Sequence, residues 1–138
     1  MGRVCDSDAL GDEVTQSRLR TGAHAEQIVA ERLTANGWRI LARNARTRQG
    51  ELDIVALDGR TLVFVEVKAG RQGSRFGPER PVLSVDRRKQ LRIRRLATAW
   101  MAARRDLPPY EKIRFDAVGV SFDRSGRLLE VDHIQAAF

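Results

Sequence analysis

The stretch Gly50 to Lys68, GELDIVALDGRTLVFVEVK, sets Glu51, Asp53, Glu66 and Lys68 inside residues that otherwise read as apolar strand. Side chains alternate along a strand, so Glu51 and Asp53 share a face, as do Glu66 and Lys68. Asp58-Gly59 signals a hairpin turn, because the central residues of a type I′ turn need positive φ. The flanking strands read as Glu51–Leu57 and Leu62–Lys68. With a loop of two or four residues, paired residue numbers sum to an odd value, so Asp53 lies opposite Phe64 or Glu66. Either register puts Asp53 on the face of Glu66 and Lys68; a three-residue loop would reverse the parity. That face is otherwise apolar at Val55, Leu57, Leu62 and Phe64, so a helix is expected over it, with the charges at the rim of the covered area.

Clustered carboxyls raise one another's pKa unless a cation lies between them. One lysine does not balance three acids, and a divalent metal would. Mg²⁺, or Mn²⁺ in its place, prefers oxygen ligands and commonly takes one or two carboxylates plus waters and substrate phosphate. Asp53 and Glu66 fit that role, with the backbone carbonyl of Val67 as a third ligand. Lys68 would hold an attacking water and stabilise charge on a phosphate, while the metal lowers the pKa of water bound to it. Each residue also has an ordinary structural explanation. A Glu-x-Lys run is common in strands, where cross-strand charge pairs contribute only about 0.2–1 kcal/mol. The added weight comes from Asp53 on the same expected face and from the arginines nearby.

The elements that would position these residues follow from periodicity and punctuation. Residues 1–15 show no apolar period and read as a flexible tail, so residues 16–138 form the single domain. From Gln16 to Ala35, Leu19, Ala23, Ile28, Val29 and Leu33 approximate a helical face, closed by Asn36-Gly37. Trp38 to Ala42 reads as a first strand and Arg43 to Gln49 as a polar connector. After the hairpin, residues 69–81 hold glycine, proline and arginine and read as a loop. Asp86 caps a helix over 87–105, whose face carries Ile93, Leu96, Ala97, Trp100, Met101 and Ala103; Pro108-Pro109 forbids its continuation. Lys112–Phe122 and Leu128–Ile134 are strands joined through Ser125-Gly126. The order α-β-β-β-α-β-β is that of an α/β protein with a mixed sheet and helices packed on it.

Composition narrows the partners. The chain has 138 residues and a net charge of +7, which favours a polyanion, nucleic acid before membrane. No run approaches the ~20 apolar residues that span a bilayer. The N-terminus lacks the apolar region of a secretory signal, so cytoplasmic residence is expected. Cys5 stands alone, which excludes an internal disulfide and a cysteine zinc cage. His24 and His133 are too few for a histidine metal site, and His133 is expected to be structural.

The residues Asp53 and Glu66-Val-Lys68 resemble the PD-(D/E)xK nuclease motif. The runs ARNARTRQGELDIVALDGRTLVFVEVK, FG, VLSVDRRKQLRI, RFDAVGV and HIQAAF, in that order, resemble the YraN-type family of bacterial endonucleases. That family is considered distantly related to archaeal Holliday junction resolvases. The resemblance covers residues 17–138 and implies a restriction-endonuclease-like three-layer core with a Mg²⁺-dependent phosphodiesterase site. It implies a further acid from the first helix, matched by Glu26, as a catalytic residue and metal ligand. The family has Gly-Glu there, where this chain has Ala25-Glu26. It also implies a supporting role for Gln90, whose alternative is a solvent-facing helical residue. Glu51 is equally suited to bracing Arg46 or Arg48, and Asp116 to anchoring structure.

The basic residues form three segments around these acids. Six of the nine residues from Arg87 to Arg95 are Lys or Arg, including Arg87, Arg88, Lys89 and Arg92. The loop adds Arg71, Arg75 and Arg80, and the connector adds Arg43, Arg46 and Arg48. Phe76 is placed either to stack on a base or to anchor its loop. The expected function is a metal-dependent endonuclease on DNA rather than RNA, with branched or damaged DNA as candidate substrates and a homodimer as one way to cut two strands. The alternative is a nucleic-acid-binding module of nuclease fold that does not cut. A third is an adaptor whose acids are only salt-bridged.

Overall fold

The computed structural model describes residues 6–72 and 80–138. Helix α1 spans Asp6–Ala35, starting ten residues before the expected Gln16. No proline interrupts this stretch. Its end is where the sequence places it. Gly37 takes φ +85°, its N–H bonds the Thr34 carbonyl at 3.0 Å, and the Trp38 N–H reaches the Leu33 carbonyl at 2.9 Å. This is a Schellman closure, with Trp38 and Leu33 buried in the same core. The buried face of α1 is Ala25, Val29, Ala30 and Leu33, so the expected Ala23 is replaced by Ala25 and Ala30.

Strand β1 spans Arg39–Thr47 and takes in most of the expected connector. Its arginines are exposed because β1 is an edge strand, and that exposure disguises it as a loop in the sequence. Strand β2 spans Gly50–Asp58 and β3 spans Thr61–Arg71. Leu57 pairs with Leu62 and Asp58 with Thr61, so the turn residues are Gly59 and Arg60, and Gly59 takes φ +60°. A 3₁₀ turn, η1, covers Pro81–Ser84. Helix α2 runs Arg87–Ala103, with the Asp86 carboxylate accepting the Lys89 N–H at 3.0 Å. Strands β4, Lys112–Phe122, and β5, Leu128–Ile134, match their expected limits. Arg75 and Phe76 lie outside the described residues.

The five strands lie in chain order, β1-β2-β3-β4-β5. All neighbours are antiparallel except β3 and β4, which are parallel and joined through η1 and α2. Two cores make three layers. On one face, Ile54, Ala56, Val63, Val65, Val118, Val120 and Phe122 pack under α1. On the other, Val55, Leu57, Leu62, Phe64 and Phe115 pack under Ile93, Leu96, Ala97 and Trp100 of α2. The protein is thus an α/β fold with a mixed sheet and the element order α-β-β-β-α-β-β. Among the described residues no helix is long and apolar enough to cross a membrane.

Candidate functional site

The β2–β3 ladder ends at Ile54–Val65, one pair short of Asp53 and Glu66. There the Asp53 carboxylate, not the β2 backbone, accepts the Val67 N–H at 2.8 Å. A strand residue that bonds across to a neighbour presents its N–H and C=O on the same edge. The Val67 carbonyl therefore opens on the β2 side, beside Asp53. The gap left by the shortened ladder is a cleft of about 350 Å³. Its walls are Gly22, Ala25 and Glu26 of α1, Glu51 and Asp53 of β2, Glu66 to Ala69 of β3, and Arg92 of α2.

The acids stand in a line. The Glu26 carboxyl lies within hydrogen-bonding reach of Asp53, and Asp53 of Glu66. Lys68 Nζ contacts Glu66 Oε1 at 3.1 Å. Burial pushes the Asp53 carboxyl up to about 6, with the charge of Glu26 adding to it and the Val67 N–H opposing it. Burial pushes Glu66 up to about 7, with Asp53 adding and Lys68 opposing. Glu26 is also raised by burial and by Glu51, against its hydrogen bonds to Asp53 and Asn44. The one lysine in contact thus leaves both buried acids short of positive charge. All the donors are hard oxygens, the chemistry that suits Mg²⁺ or Mn²⁺. Among the described residues no three acid, His or Cys side chains close around a single point.

The remaining sequence candidates separate. Gln90 does not line the cleft; its amide donates to the Val85 carbonyl at 3.1 Å and so braces the start of α2. Arg92, two residues on, does line it. Glu51 lies at the cleft mouth and pairs loosely with Arg46 at 3.8 Å. Arg43 bonds Gln27 at 3.0 Å beside Glu26. Arg46 and Arg48 also line a groove with Trp100 and Ala103. Arg80 pairs with Asp132, and Lys89 donates to the Ser84 carbonyl at 3.0 Å. Arg71, Arg87 and Arg88 are exposed. Sequence reasoning passed over Asn44, whose side chain meets Glu26. The signal was an asparagine, a residue that tolerates left-handed backbone, between arginines in an apparent connector.

A second polar cluster is separate from the cleft. Asp116 is fully buried and accepts from Arg114 Nε at 2.8 Å and from the Ala136 N–H at 3.0 Å, with His133 Nε2 at 2.9 Å. Burial pushes its carboxyl up, but these partners outweigh burial and hold it below the usual range. Asp116 anchors the C-terminal segment to β4.

The sequence profile of "Uncharacterised protein family UPF0102" matches residues 25–120. The chain belongs to this family. The UPF0102 protein of Symbiobacterium thermophilum is 49% identical over 109 residues, covering 79% of this chain and 88% of that one. That of Nocardia farcinica is 41% identical over 138 residues, covering 100% and 95%. That of Chlorobaculum tepidum is 44% identical over 121 residues, covering 85% and 90%. The UPF0102 match spans α1 from Ala25 through most of β4, and so includes Glu26, Asn44, Asp53, Glu66, Lys68 and Arg92.

Proposed function

We propose that this UPF0102 protein is a metal-dependent endonuclease that hydrolyses DNA phosphodiester bonds, branched or damaged DNA included. The observation that carries the reading is the line Glu26–Asp53–Glu66, capped by Lys68, in a cleft opened by the shortened β2–β3 ladder. Acids whose burial resists ionisation gain most from a divalent cation beside them. Asp53, Glu66 and the Val67 carbonyl would hold it, with Glu26 as a further ligand. When bound, it would supply positive charge to the phosphate oxygens and acidify bound water. The Val67 N–H fixes the Asp53 carboxylate. Lys68, tethered to Glu66, would orient the attacking water and stabilise charge developing on the phosphate. Arg92, which lines the cleft, would take a non-bridging phosphate oxygen.

The test is cleavage of labelled single-stranded, duplex, flap and four-way-junction DNA with Mg²⁺ or Mn²⁺ against EDTA. Lys68→Ala is expected to lower cutting by roughly 10²-fold or more while DNA binding is kept. Cutting that survives both Asp53→Ala and Lys68→Ala would overturn the proposal. Salt-sensitive binding without cutting on every substrate would favour the binding module.

A further inference from the structure

Asn44 lies in β1 with φ +50°, in the left-handed region that asparagine tolerates because its short amide can hydrogen-bond locally. Its neighbours Arg43 and Ala45 pair with Ile54 and Leu52, which sets Asn44 opposite Asp53, yet these two form no ladder pair. Alternation breaks in both strands at this point. In β2, Leu52 joins the core under α2, whereas Ile54 and Ala56 join the core under α1. In β1, Ala42 and Ala45 both pack on the core under α2, although three residues apart. A strand changes face where its backbone leaves the extended region, and in β1 Asn44 is that residue. The side chain of Asn44 then meets the Glu26 carboxyl, which meets Asp53.

We infer that Asn44 is a positioning residue for the cleft: its left-handed backbone frees Asp53 from the ladder toward α1, and its amide fixes Glu26 against Asp53. Its consequence for metal binding rests on the nuclease reading; the contact itself does not.

The experiment uses the metal-free full chain with ¹³C-labelled glutamate carboxyls. Asn44→Gly keeps the positive φ at no steric cost and removes only the amide. Asn44→Ala removes the amide and strains the backbone as well. Both variants are expected to move the Glu26 carboxyl resonance and leave that of Glu111 in place, and only Asn44→Ala should melt markedly lower. Mn²⁺ affinity, by calorimetry, should fall about tenfold or more in Asn44→Gly, as for other residues that orient a metal ligand. A Glu26 resonance unmoved in Asn44→Gly, or Mn²⁺ held as tightly by that variant as by wild type, would overturn the inference. A moved Glu26 resonance in a wild-type background that binds no Mn²⁺ would uphold the contact and sink the metal reading instead.

Discussion

Asp53 and Glu66 keep their protons to a higher pH in the folded chain than in the unfolded one, with values near 6 and 7 against 3.8 and 4.5. Between about pH 4 and 7 the folded state therefore binds more protons. Stability from this pair is greatest below pH 4 and is lost as pH rises through 7. Each pKa unit corresponds to about 1.4 kcal/mol, so each of the two carboxyls withdraws on the order of 3 kcal/mol from the metal-free protein at pH 8. Asp53→Asn and Glu66→Gln should therefore melt several degrees above wild type at pH 8 in EDTA, and with it at pH 4. Calorimetry at the two pH values checks this; equal melting temperatures at pH 8 would mean that the carboxyls are not short of positive charge. At this scale much of the cleft was legible. Hairpin parity brings Asp53 to the face of Glu66, because it depends only on loop length. Arg92 was legible only as one arginine among several, and Asn44 only by its residue type, since a left-handed residue inside a strand leaves no periodic trace.

The strands show where patterning suffices. The limits of β4 follow from its alternation, whose buried residues serve two cores at once. The extent of β1 could not be read that way, because an edge strand with outward arginines has the composition of a connector. Only Pro81 of the turn η1 falls in the expected loop over 69–81, and the fit of this turn explains two glycines. A Cβ on Gly119 would stand 2.6 Å from the Val82 backbone nitrogen, and one on Gly70 would stand 2.6 Å from Cγ of Pro81. The 3₁₀ turn thus lies directly on β3 and β4, and Gly119 is the β4 partner of Lys68. Backbone cannot give way as a flexible side chain can. Gly119→Ala should cost about 1–3 kcal/mol by overpacking, a fall of roughly 3–10 °C in a thermal melt. An unchanged Tm would show that η1 is not seated there.

Across the whole molecule, the +7 charge is unevenly available to a polyanion. Arg80 is already paired with Asp132, whereas Arg92 stands at the cleft. If the protein binds DNA, about six neutralised phosphates would give a slope of roughly −5 for log K against log[salt]. Arg92→Ala should reduce that slope by about one and Arg80→Ala should leave it nearly unchanged. Fluorescence anisotropy between about 50 and 200 mM salt separates the two; equal effects would contradict the assignment. Because the strands lie in chain order, the β1–β2–β3 meander and the β4–β5 hairpin each close over short loops, and only the β3–β4 pairing must wait for a long crossover. Asp53 and Glu66 both belong to the meander, with Lys68 beside them, so the local half of the chain brings the two like-charged acids together, and the slow, non-local pairing is what must hold them there.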